Sequence, residues 1–226
     1  HTANALEPLH AQFDFLKNTV SVYNDYYRSF RGYRVRAEVY DADSREVWSR
    51  EAGVDIPEDG VVNDVFEVEF PSDISRLHFI RLRLMDERGR EVAGTFYWRS
   101  ADEYGGPSYD DDCSNLTGPA ASGFEDVNRL KPTTLRSRIH RSSAGGRHYV
   151  TLQVSNTGRG IAFFTQIQLQ DSKGKPVRPS FYSDNFFSLL PGESRSIVIE
   201  TASEDMPSAA TLAVKAWNSD SCKVSL

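Results

Sequence analysis

Asp41, Asp43 and Glu46 stand in a D-x-D-x-x-E spacing that suggests oxygen ligands for calcium. Calcium takes about six to eight oxygens, and this stretch lacks the glycine that an EF-hand loop requires, so a hairpin turn is the better reading. Asp110-Asp111-Asp112 reads as a solvated, self-repelling run on the same grounds. His10, His78, His140 and His148 show neither i, i+4 pairing nor cysteines at zinc spacing, which favours packing or surface roles. No metal and no cofactor is expected.

Catalytic arrangements are equally thin. No serine occupies a G-x-S-x-G elbow. Gly158-Arg159-Gly160 lacks the strand-to-helix setting of a phosphate loop and reads as a turn. Asp184 and Glu193 are the nearest candidates for a pair of carboxylates, and nothing in the sequence places them in a cleft.

The aromatics are the group with a functional reading. Tyr26, Tyr27, Phe30 and Tyr33 cluster near one turn, and Tyr182, Phe186 and Phe187 near another. Sugar rings stack on aromatic faces, so either turn would serve as a carbohydrate platform. Core packing or docking against a neighbouring domain is the plainer alternative.

These residues sit in a chain of 226 residues with a net charge of −6, which disfavours nucleic acid or an anionic membrane as a partner. No apolar run approaches the roughly 18 residues of a membrane span. The chain begins at His1, so a processed product or a piece of something longer is expected. Cys113 and Cys222 are too few for a disulfide scaffold. Paired, they would close a loop of about 109 residues and contribute at most roughly 4 to 5 kcal/mol. Unpaired, they are two thiols.

The periodicity is that of strands. Tyr33, Val35, Ala37 and Val39 alternate with Arg34, Arg36 and Glu38; Phe66, Val68 and Phe70 alternate with Glu67 and Glu69; Ile80, Leu82 and Leu84 alternate with Arg81 and Arg83. A last strand carries Val92, Phe96 and Trp98. With turns between these runs and no helical period, an all-β sandwich over 1–101 follows, entered through a connector at 1–10.

Residues 102–123 have a linker's composition, with Gly105-Gly106-Pro107 and Gly118-Pro119. Residues 124–226 repeat the rhythm: Val150, Leu152 and Val154, then Phe163, Thr165, Ile167 and Leu169, then Leu212, Val214 and Ala216. Leu189-Leu190-Pro191-Gly192-Glu193 before Ile197-Val198-Ile199 reads as one hairpin at a sandwich edge. The fold class is therefore two tandem immunoglobulin-like β-sandwiches, with no residue-level repeat visible between them.

Ser183-Asp184-Asn185-Phe186, followed by Leu189 to Glu193 and a β-branched strand, resembles the last immunoglobulin-like domain of family 2 glycoside hydrolases, in the β-mannosidase and exo-β-glucosaminidase branch. Glu7-Pro8-Leu9-His10, then Thr19 to Val22 with Asn24, looks like the exit from the catalytic barrel into the first trailing sandwich. Phe96 to Ser100, and Val154 to Gly158 with Ala162-Phe163-Phe164, are similar to later strands of the two modules.

The resemblance implies a non-catalytic pair of modules from the C-terminal end of a retaining glycosidase, bracing a (β/α)8 barrel that this chain is too short to contain. Its partner would be that barrel, and its parent would be secreted or periplasmic. Glu7 and His10 would lie at the barrel junction, and Tyr182, Ser183, Asp184, Asn185, Phe186 and Phe187 would touch the barrel or an oligosaccharide. The alternative is a stand-alone carbohydrate-binding or cell-surface adhesion protein.

Overall fold

Tyr33, Val35, Ala37 and Val39 form the buried face of β3 (Phe30–Asp41). Val35, Ala37 and Val39 lie opposite Leu84, Leu82 and Ile80 of β6 (Leu77–Met85). Opposed residues in adjacent strands point to the same side, so the two apolar faces form one wall. β4 (Glu46–Ile56) and β7 (Glu91–Ser100) complete an antiparallel sheet in the order β4-β3-β6-β7. A second sheet, β1-β2-β5, comprises Leu9–Asp14, Thr19–Asn24 and Gly60–Glu67 and supplies Phe13, Val20, Val22 and Phe66 to the same core. Each side chain this deeply buried contributes roughly 1.5 to 3 kcal/mol by leaving water.

This computed structural model describes residues 7–101, 108–109, 116–117 and 122–226, and their contacts divide into two units, one ending at Arg129 and the other beginning at Leu130. Val92 and Trp98 are exposed, while the core of the first unit takes Ala93 and Tyr97 from β7. The pairing Ile80 to Tyr97 sets this parity, and Tyr97 packs edge-on against Phe15 at 5.5 Å. Phe96 lies on the other side of β7, stacked on Phe79 at 5.7 Å.

Within the stretch read as a linker, β8 (Ser108–Tyr109) pairs with β9 (Leu116–Thr117). A 3-10 turn, Ser122–Arg129, follows. Arg76 holds it to the first unit through Asp126, Nε to Oδ2 at 3.0 Å, and Arg129 closes on the other oxygen at 2.9 Å. Residues 124–129, assigned above to the second sandwich, therefore group with the first. Cys113 lies outside the described residues; Cys222 is half-buried on the last strand.

The second unit faces sheet β10-β11-β15-β13 with sheet β14-β12-β16-β17. The strands are β10 (Leu135–Ala144), β11 (Arg147–Asn156), β12 (Ala162–Gln170), β13 (Phe181–Tyr182), β14 (Phe187–Leu189), β15 (Ser194–Ala202), β16 (Thr211–Lys215) and β17 (Cys222–Ser225). Val150, Leu152, Val154, Ile197 and Ile199 meet Ile167, Leu169, Leu212 and Val214 across the core.

The Pro191-Gly192-Glu193 turn does not close a hairpin, contrary to the sequence reading. β14 pairs with β12 in one sheet and β15 with β11 and β13 in the other, so the turn carries the chain across the sandwich. Asn156 holds it there, its backbone N–H donating to Glu193 O and its carbonyl accepting from Gly192 N, both at 2.9 Å.

One turn recurs in both units. Asp41, Asp86 and Asp171 each accept, through Oδ1, the N–H of a basic residue four positions on: Arg45, Arg90 and Lys175, at 2.8 to 2.9 Å. Ser44, Gly89 and Gly174 adopt positive φ inside these loops. Arg45 and Arg90 also return their guanidinium groups to Oδ2 at 2.8 Å.

Candidate functional site

The residues 182–187 surround one edge of β12. Beyond the pair Thr165 and Phe187, β14 stops, yet the edge continues to be satisfied. The side-chain amide of Asn185 takes both backbone groups of Ile167: Oδ1 accepts its N–H at 2.8 Å and Nδ2 donates to its carbonyl at 2.9 Å. One step further the Tyr182 hydroxyl accepts the N–H of Leu169 at 2.9 Å. Two side chains thus stand in for a missing strand, because buried backbone groups must find partners. Burial pushes the Tyr182 hydroxyl above its ordinary pKa.

The other members of the turn are engaged as well. Asp184 is buried and accepts from Arg195 Nη1 at 2.6 Å, and that guanidinium lies 5.0 Å over the buried Phe187 ring. Ser183 exchanges two bonds with Val198 of β15, both at 2.9 Å. Glu193, the other carboxylate considered above, accepts the Leu190 N–H at 2.8 Å through Oε2.

Phe186 is the outward member, 36% exposed. It meets Phe164, centroids 5.2 Å apart, and both residues have positive φ, 58° and 51°. A bulky side chain in that region costs roughly 1 to 2 kcal/mol. The register of β12 shifts between Ala162 and Thr165, a bulge that re-aims Phe164. Sequence reading gave Phe164 no place in the site, although Phe163-Phe164 is a visible interruption of the alternation.

At the start of the first unit, His10 Nδ1 lies 2.7 Å from the Glu7 carbonyl oxygen, and the ring stacks on Tyr23, centroids 5.2 Å apart and planes 6° from parallel. Glu7, Pro8, Tyr26, Arg28, Phe30 and Tyr33 line a cleft of about 320 Å³. Arg28 lies over Phe30 at 4.9 Å and over Tyr26 at 5.5 Å. Tyr27 is 88% exposed beside them. The first aromatic cluster therefore splits: Phe30 and Tyr33 pack inward, and Tyr27 faces water.

The carboxylates weighed as calcium ligands, and read instead as part of a hairpin turn, are engaged by arginine, Asp41 by Arg45 and Glu46 by Arg36 at 3.5 Å. His140 is exposed, and His148 Nδ1 lies 2.8 Å from the Ser143 hydroxyl. His78 is buried, and desolvation drops its pKa to about 4. Each of the four buried carboxylates among the described residues meets arginine: Glu38 with Arg36 and Arg83, Asp41 with Arg45, Asp86 with Arg90, Asp184 with Arg195. Asp86 is held below the usual carboxylate range, above all by the Arg90 backbone N–H.

Residues 116–219 match the model of the exo-β-D-glucosaminidase Ig-fold domain. The exo-β-D-glucosaminidase of Streptomyces avermitilis is 32% identical over 95% of this chain and 24% of its own length. That of Hypocrea jecorina is 25% identical over 84% of this chain and 22% of its own. The solved Amycolatopsis orientalis exo-chitosanase CsxA superposes with a TM-score of 0.86 at 25% identity, over 99% of this chain and 27% of that one. A Dictyoglomus thermophilum β-D-mannosidase shares the fold, with a TM-score of 0.58 at 13% identity over 96% of this chain and 22% of that one. The chain spans about a quarter of the length of the curated relatives it matches. Tandem sandwiches and these matches together make the chain an immunoglobulin-like segment that matches a portion of the exo-β-D-glucosaminidases, with residues 116–219 matching their Ig-fold domain.

Proposed function

We propose that this chain is a non-catalytic accessory part of a longer exo-β-glucosaminidase-like or β-mannosidase-like glycosidase and braces its catalytic body. The observation that carries this is the state of the acids. Retaining hydrolysis needs two carboxyl groups about 5 to 5.5 Å apart, one of them with a raised pKa. Here every buried carboxylate among the described residues is neutralised by arginine, and Asp86 is shifted downward.

The Phe164 and Phe186 pair is the surface we assign to the catalytic body, since a bulge and two strained backbones maintain it. Glu7 and His10 would stand at the entry from that body. The purified chain is expected to release no 4-nitrophenol from 4-nitrophenyl β-D-glucosaminide; turnover above a blank would overturn the reading.

The exposure of Phe186 and Tyr27 also suits a free-standing carbohydrate-binding protein. That reading predicts saturable binding of a glucosamine or mannose oligosaccharide, weakened by Phe186→Ala. A flat titration removes it. Tyr182→Ala is a poor probe, because it also opens the edge of β12 at Leu169.

A further inference from the structure

The overall charge of −6 conceals a division. Residues 1–129 hold 14 Lys and Arg against 25 Asp and Glu, whereas residues 130–226 hold 12 against 7. Much of that excess is concentrated along β10 and the start of β11, where Arg136, Arg138, Arg141 and Arg147 occur with His140 and no acid intervenes in the sequence, although Arg147 itself is paired with Glu200 of β15. β10 is the edge strand of its sheet.

Arg136, Arg138 and His140 are alternate residues and so project from one face, roughly 7 Å apart. That face points away from the core, whose side carries Leu135 and the partly buried Ile139. All three are exposed, and among the described residues none has an acidic partner. Register extends the rows across the sheet: Arg138 lies opposite Gln153, and Gln153 opposite Ser196. At the far edge Phe181 projects from the same face, 61% exposed, paired in register with Glu200.

We infer that this outer face of sheet β10-β11-β15-β13 binds an anionic glycan, a carboxylated or sulfated polysaccharide. Charge complementarity selects the anion: an unneutralised basic row meets a polymer with regularly spaced negative groups. The floor selects a glycan over a protein. Around the arginines it offers the amide of Gln153 and the hydroxyls of Ser155 and Ser196, and its exposed large apolar side chains among the described residues are Val198 and Phe181, short of the cluster of anchors that carries protein interfaces. Phe181 supplies a ring face for a sugar, three strand spacings or about 14 Å from the basic edge. The inference is independent of the glycosidase reading.

The test uses the full chain, heparin as a sulfated glycan and inorganic polyphosphate as an anion without rings. Heparin is expected to bind and to be released by salt. Arg136→Ser with Arg138→Ser should weaken heparin at least tenfold, while Lys173→Ser with Lys175→Ser, equal in charge and placed in the turn after Asp171, should not. Phe181→Ala should weaken heparin several-fold and leave polyphosphate unchanged. No heparin binding, equal losses in the two double variants, or indifference of heparin to Phe181→Ala would each overturn the inference. A double arginine variant that self-associates yet keeps heparin would also overturn it, leaving the arginines as guards of a sheet edge.

Discussion

Asn24 and Asn156 make the same three bonds in the two units. Each is 1% exposed and ends the second strand of its unit. Each accepts the N–H two residues on, from Tyr26 at 2.9 Å and Gly158 at 3.1 Å. Each donates to the carbonyl four residues on, Arg28 and Gly160, both at 2.8 Å. Each donates again to a carbonyl just before the turn that leads into the strand beside it, Pro57 at 2.6 Å and Leu189 at 2.9 Å. Losing such a group strands several buried backbone atoms, so Asn24→Ala and Asn156→Ala should each cost on the order of 3 kcal/mol. Urea unfolding followed by tryptophan emission separates the two, since Trp48 and Trp98 report the first unit and Trp217 the second.

Gly158 lies under Thr133. A Cβ there would stand 2.1 Å from Thr133 Oγ1 and 2.8 Å from the Thr134 backbone nitrogen, and Thr133 Oγ1 is itself bonded to Asn156 Oδ1 at 2.7 Å. Gly158→Ala should therefore destabilise the second unit by about 2 to 3 kcal/mol. Gly53→Ala, with nothing within 4 Å, should be nearly neutral. Midpoints of chemical denaturation decide the comparison.

Asn185→Ala removes a donor and an acceptor from the edge of β12 and should cost about 2 kcal/mol. Asn185→Asp keeps the acceptor for the Ile167 N–H but turns a carboxylate toward the Ile167 carbonyl, so it should recover less than half of that loss. Hydrogen exchange at Ile167 and Leu169 should quicken in both variants.

His78 makes the first unit acid-sensitive. Its pKa falls from 6.5 to about 4 on folding, chiefly because burial disfavours the charged ring. Between those values the unfolded chain binds the proton and the folded chain does not, so stability rises with pH there. The contribution is complete above about pH 6.5 and is lost progressively toward pH 4, a loss on the order of 3 kcal/mol. The Asp86 carboxyl, shifted downward, acts in a lower window, below its unfolded value of 3.8. His78→Gln should flatten the dependence between pH 4 and 6.5; an unchanged slope in thermal melts would refute the assignment.

Strand alternation made most of the fold legible, because inward and outward residues differ in polarity wherever one face meets water. The sandwich class followed, and Tyr33 through Val39 show why: their register partners carry the same period. The crossing at Pro191-Gly192-Glu193 was not legible, since a tight turn looks the same whether it closes a hairpin or changes sheets. Nor was the repeat between Asn24 and Asn156, whose three shared bonds run to backbone atoms and leave neighbouring side chains free to differ. At the candidate site, Ser183-Asp184-Asn185 advertised polarity that the fold turns inward, and the bulge that redirects Phe164 depends on pairing three-dimensionally distant in the chain.

The loops opened by Asp41, Asp86 and Asp171 bind their own backbone before any distant segment is needed. A strand that slips by one residue would expose every inward side chain. Loops that close themselves fix the alignment of β3 with β4 and of β6 with β7 while the chain is still short of its core. Local closure of this kind shortens the search for long-range pairing, and the order of the sheets is in that sense written into their corners.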